Sequence, residues 1–236
     1  MNPPMTSTAE TRRADFPALS VQFDDLEQQH QASSLGMWMF LATEVMFFGG
    51  LIAAYVVYRS VSPREFAEAS RHLKLWLGCV NTVVLLGSSL TMALAVRAAQ
   101  LHDRRRLLRY LLATMLLGTA FLGIKAVEYS QEYHERLIPG LNFQLPEGGS
   151  PQAGPTPLGA QRFEMFFVLY FFMTGLHAIH LIIGIALVGL MAYLVWKDWF
   201  VGGAETHIDV TGLYWHFVDV VWVFLYPLLY LIDVRS

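Results

Sequence analysis

GLYWHFVDVVWVFLYPLLYLI, running from Gly212 to Ile232, is the stretch on which the reading of this chain turns. Its 21 residues match the roughly 20 that cross a hydrocarbon core as a helix. Yet His216 and Asp219 stand in its first turns, among Tyr214, Trp215, Trp222 and Tyr226. Three residues apart, the imidazole and the carboxyl share one helical face. Ionisable side chains in lipid are costly unless they face protein or water. That face therefore turns inward against other helices, which the rest of the chain must supply. Pro227 lacks a backbone N–H and is expected to kink this helix.

Composition agrees with a membrane class. Of the 236 residues, 55% are hydrophobic and only 15% charged, the profile of a polytopic membrane protein. A net charge of −3 offers nucleic acid no electrostatic footing, so no such partner is expected. Cys79 is the only cysteine, which rules out an intrachain disulfide or a cysteine-rich metal site. It lies in an apolar run and reads as helix packing. Residues 1–34 form a polar arm with Pro3, Pro4 and Pro17 and no helical period, expected to be loose. The arm has no basic-then-apolar signal pattern, so the membrane address is expected to lie in the helices themselves.

Four further apolar stretches, at about 35–58, 73–96, 107–128 and 163–196, join 212–232. Together they predict an all-α fold, a bundle of five transmembrane helices over residues 35–236. Glu44 is the one ionisable residue of the first span, roughly 13 Å in at 1.5 Å per residue. A carboxyl at that depth points to a proton-responsive or reactive site. Gly49, Gly50, Ala53 and Ala54 predict a closely packed face beside it. Asn81, Thr82, Ser88, Ser89 and Thr91 suit hydrogen bonding between helices. Lys125 and Glu128, near the end of the third span, are placed to pair or to snorkel to the interface. Residues 59–72 read as a polar, partly helical connection and 129–161 as an external loop rich in Pro and Gly. Five spans put the termini on opposite sides. Basic residues divide evenly between the two sides, so the dense Arg104, Arg105, Arg106 and Arg109 cluster decides, favouring a cytoplasmic N-terminus. No span repeats another, which argues against a transporter of the inverted-repeat kind built around Glu44.

Histidines in membrane helices raise the question of a metal. His177 and His180 share one helix and cannot ligate opposite faces of a haem, although His216 could face one of them. A membrane haem-binding cytochrome is therefore the competing reading from another class. The Glu-x-x-His pairs of di-iron bundles are missing, since Glu44 is followed by Phe47 and Glu164 by Phe167. The zinc motif HExxH is missing too. The residues favour hydrogen bonds between helices for His177, His180 and His216, with Asp219 and Glu44 as partners, and no metal on this chain.

Five segments carry a resemblance: WMFLATEVMFFGGLIAAYVVYR (38–59), NTVVLLGSSLTMALA (81–95), LGTAFLGIKAVEY (117–129), FFMTGLHAIHLIIG (171–184) and YWHFVDVVWVFLYPLLY (214–230). In this order they resemble subunit III of the haem–copper oxidases, the cytochrome c and quinol oxidase family, in its five-helix form. The YWHFVDVVW run is the most specific of them. By that resemblance Glu44 matches the family's membrane-buried glutamate, known for reacting with hydrophobic carbodiimide, although Thr43 stands where a serine is usual. His177 and His180 match the paired histidines, His216 and Asp219 the WHFVD signature, and Glu128 the glutamate of the EY motif.

The resemblance implies a subunit that does no redox chemistry itself. Haem and copper would lie in partner subunits, and a cytochrome c or similar donor would serve the complex. It implies packing on the catalytic subunit I, with subunit II and a subunit IV as further neighbours, and support of proton uptake and of complex stability. It implies a bacterial inner membrane location. The family's long form holds phospholipid in a cleft made with two extra helices. Those helices have no counterpart here, so a lipid-facing groove at Glu44, Phe47 and Phe48 is the expected remnant. A quinol oxidase, or a nitric oxide reductase-associated relative, is the alternative within the resemblance.

Overall fold

A computed structural model describes residues 26–135, 137–139, 157–197 and 204–231. All regular structure among these residues is helical: α1 Leu26–Val61, α2 Pro63–Ser70, α3 Leu75–Gln100, α4 Arg104–His134, α5 Pro157–Trp196 and α6 Ala204–Tyr230. Five of these, all but α2, are long and apolar enough to cross a membrane. The arm up to residue 25 and the centre of the long loop, 140–156, lie outside the described residues.

The helices outrun their apolar stretches. α1 begins at Leu26, so residues 26–34, expected in the loose arm, are helical. LEQQHQASS supplies good helix formers, and hydropathy marks where lipid begins rather than where a helix must start. α4 starts at Arg104 because Asp103 caps it: its carboxylate accepts the Arg106 N–H at 3.0 Å. The α3–α4 turn is tight for a comparable reason. The His102 N–H bonds the Ala99 carbonyl at 2.9 Å and the Asp103 N–H bonds that of Ala98 at 3.0 Å. That is a Schellman closure, with His102 (φ 53°) at the left-handed position usually given to glycine. Arg104 then reaches across to the end of α5, donating to the carbonyls of Val195 at 3.0 Å and Trp196 at 2.7 Å. Those last carbonyls have no donor within their own helix.

Trp215 of α6 locks the four-helix body. Its indole N–H donates to Ser88 Oγ of α3 at 3.3 Å. A Cβ on Gly118 of α4 would stand 2.7 Å from the ring, and one on Gly184 of α5 would stand 3.2 Å from it. The two glycines are therefore what lets α4 and α5 close on the indole. α1 lies along the edge of this body on α5 and α6. The Tyr55 hydroxyl donates to the Leu228 carbonyl at 2.9 Å, near the end of α6. The short α2 covers that end of the bundle, placing Phe66 against Tyr55 and Phe166, each ring pair 5.5 Å apart.

Two sequence expectations fail here. Gly49, Gly50 and Ala53 face outward, and a Cβ on either glycine would meet nothing within 4 Å. α1 sits at the edge, so its small-residue strip is not covered by this chain. Cys79 is exposed rather than packed. It falls on the outward side of α3, between the buried Gly78 and Asn81.

A membrane carboxyl pocket and a buried polar core

Glu44 enters from the edge helix α1 and meets His180 of α5, Oε2 to Nε2 at 3.2 Å. Both side chains are mostly covered, at 18% and 15% exposure. The other ring nitrogen of His180, Nδ1, lies 2.9 Å from the Leu176 carbonyl, an acceptor only. Nδ1 must therefore carry its proton, which leaves one proton to be shared between Nε2 and Oε2. The pair is either imidazole with carboxylic acid or imidazolium with carboxylate. The Tyr214 hydroxyl fixes the turn below by donating to the His180 carbonyl at 2.9 Å. The pair forms the polar base of a pocket of about 540 Å³ between α1, α5 and α6, walled by Met37, Phe40, Ile183, Leu187, Thr211 and Tyr214.

The groove expected at Phe47 and Phe48 is displaced. Phe48 is buried at 3% exposure, edge-on to His180 and Phe217, while Phe47 faces outward. Glu44 opens instead toward Phe40 and Met37, one and two turns earlier on α1. The cause is Phe48: its buried ring packs edge-on to His180 and closes that side, so the space beside Glu44 lies toward Phe40 and Met37.

The second polar site lies inside the body. Lys125 is 4% exposed and Glu128 2% exposed, so they do not snorkel to the interface. Lys125 Nζ donates to Glu128 Oε2 at 2.9 Å, to the Tyr230 hydroxyl at 3.0 Å and to the Tyr170 hydroxyl at 3.1 Å. Tyr170 and Tyr230 in turn donate to Glu128 Oε1. All three ammonium protons and both carboxylate oxygens are satisfied by α4, α5 and α6, the condition under which a buried ion pair is tolerable. One turn further along α4, Glu132 is equally buried, and neither oxygen has a hydrogen-bond partner among the described residues.

The opening stretch brings its polar residues to a third place. His216 Nδ1 lies 2.8 Å from the Ser89 hydroxyl of α3, so its partner is a serine rather than Asp219. Asp219 is buried at 4% exposure, with neither oxygen bonded among the described residues. His177 is buried at 1% exposure between Phe121 and Trp222, and neither of its nitrogens is bonded there either. The ring nitrogens that do have partners point at Glu44, the Leu176 carbonyl and Ser89. Among the described residues no three His, Cys, Asp or Glu side chains converge as metal ligands.

Sequence reasoning did not single out Tyr170, Tyr230, Glu132 or Tyr214. Lys125, Glu128 and Glu132 recur at three and four, as do Tyr170, Thr174 and His177. That spacing puts each set on one helical face, and it was the available signal.

The family model described as cytochrome c oxidase subunit III matches residues 24–135 and 163–234, reaching all five long helices. The chain belongs to the cytochrome c oxidase subunit III family. A cytochrome c oxidase subunit 3 of Corynebacterium diphtheriae is 31% identical over 202 residues, covering 85% of this chain and 88% of that protein. One from Thermostichus vulcanus is 28% identical over 217 residues, covering 90% and 94%. A quinol oxidase subunit 3 of Bacillus spizizenii is 31% identical over 204 residues, covering 84% and 85%. As a subunit III, the chain is a multi-pass membrane component of a terminal oxidase, an oxidoreductase complex, and assembles with other oxidase subunits.

Proposed function

We propose that this chain is the non-redox subunit III of a proton-pumping cytochrome c oxidase, supporting proton uptake and the stability of a complex whose electrons move elsewhere. The observation that carries this is where its ionisable side chains point. His180 is engaged by Glu44, His216 by Ser89 and Lys125 by Glu128, each within this chain, while His177, whose nitrogens have no bonded partner among the described residues, is enclosed between Phe121 and Trp222. Haem and copper then belong to partner subunits, with subunit I as the principal neighbour and subunits II and IV beyond it. The uncovered Gly49, Gly50 and Ala53 strip of α1 gives a partner helix a close approach. The Glu44–His180 pair holds an exchangeable proton, and the apolar pocket above it takes the acyl chain of a membrane phospholipid. The Arg104 to Arg109 cluster supports a cytoplasmic N-terminus in a bacterial inner membrane. The quinol oxidase relative favours a second reading, in which the complex takes electrons from quinol.

The test is selective removal of this chain from the purified oxidase. The account expects unchanged haem spectra and a largely retained initial rate, with slower proton uptake and faster loss of activity during turnover. Loss of a haem signal together with the chain would overturn it.

A further inference from the structure

α5 carries a line of polar side chains through the body of the bundle: Tyr170, Thr174, His177 and His180. At 1.5 Å per residue it spans roughly 15 Å, and the first three are no more than 1% exposed. Its lower end is the Glu44–His180 pair. Its upper end is the Lys125–Glu128–Tyr170–Tyr230 cluster, with Glu132 beyond it in the last turns of α4. Thr174 is tied into that end by a hydrogen bond with Tyr129.

His177 stands between the two ends. Its ring is 5.2 Å from that of Trp222, which also meets Phe121 at 4.8 Å, the Lys125 ammonium at 5.3 Å and the Thr82 hydroxyl at 3.1 Å. Asn81 belongs to the same layer. α3 and α4 run antiparallel with Thr91 against Thr114 at 2.8 Å, which sets Asn81 opposite Ile124. Asn81 is fully buried, and both atoms of its carboxamide lack partners among the described residues, as do both nitrogens of His177. Buried polar groups without a protein partner are as a rule bonded by ordered water. Lines of ionisable residues within membrane helices characteristically carry protons.

We propose that the proton of the Glu44–His180 pair equilibrates through this line, wetted at His177 and Asn81, with the membrane face at which α4 and α6 end. The inference rests on the reading that the pair holds an exchangeable proton. Both His180 nitrogens being engaged, the proton leaves the pair from the Glu44 carboxyl, passes through water to His177, and then moves along the Tyr170 and Tyr230 hydroxyls to Glu128 and Glu132. No electron moves, and every donor is reprotonated by the next. The titratable groups facing the line are Glu44 from α1, Lys125, Glu128, Tyr129 and Glu132 from α4, and Tyr214 and Tyr230 from α6. α3 contributes Asn81 and Thr82.

The test uses the complete oxidase in vesicles of known orientation, with pH set independently on each side. Labelling of Glu44 by a hydrophobic carbodiimide, read by peptide mass spectrometry, reports its protonation. In the native complex, labelling should follow the pH of the face where α4 ends. In His177→Leu, labelling should lose its dependence on the pH of that face. His177→Gln, which still hydrogen-bonds water, should restore much of it, and both variants must retain native haem absorption. Labelling that follows the opposite face, or still follows the face where α4 ends in His177→Leu, would overturn the line and leave the pair intact. Labelling indifferent to pH on both sides and to His180→Leu would overturn the pair, and the line with it.

Discussion

Lys125→Met is the sharpest perturbation of the folded body. The ammonium it removes is 4% exposed and makes three hydrogen bonds, to Glu128, Tyr170 and Tyr230. Met fills most of the volume, so little of the effect is a cavity. What remains is a buried Glu128 carboxylate held by two phenols and no counter-charge. Removing one partner of a buried pair costs about 3–5 kcal/mol. At roughly 2–4 °C per kcal/mol for a chain of this size, the unfolding midpoint should fall by about 10 °C. Differential scanning fluorimetry of the oxidase in one detergent, read beside haem absorption, measures it. The double variant Lys125→Met/Glu128→Gln removes the stranded charge and should recover more than half of the loss. A drop of under about 1 kcal/mol in Lys125→Met would refute the reasoning, since that is the scale of an exposed pair. So would a double variant whose loss is the sum of the two single ones.

Gly118→Leu should destabilise the body by several kcal/mol or prevent assembly, because a Cβ there already stands 2.7 Å from Trp215; incorporation into the purified complex checks this. His102→Gly should stabilise by about 1 kcal/mol, since His102 pays for a left-handed backbone at the α3–α4 turn; the same melting assay reads it. Glu44→Gln should leave oxygen reduction largely intact while abolishing carbodiimide labelling at this position. Near-complete loss of turnover in an assembled complex with normal haems would contradict it.

How far the sequence could be read depended on what each residue's neighbours had to be. The spans were legible because about 20 apolar residues have few alternatives in a chain of this composition. Their polar ends were not, because the Asp103 cap and the helix formers of 26–34 extend a helix regardless of lipid. Glu44 and the histidines stood out as costly groups in apolar runs. Which histidine would meet Glu44 was not legible: His177 and His180 share a face in sequence, and only the packing of the edge helix α1 selects His180. Lys125 and Glu128 do pair, as their spacing allowed, but that the pair is buried was not legible, for a related reason. A lysine near a helix end snorkels when it faces lipid, and nothing local says that this one faces Tyr170 and Tyr230, 45 and 105 residues away.

Purification in mild detergent through a tag on this chain tests the central claim most directly, with an absorption spectrum and a count of the subunits recovered. The account predicts a haem–copper subunit I in the preparation, with the haem bands of a terminal oxidase. Recovery of this chain alone with haem bound to its own histidines would contradict it.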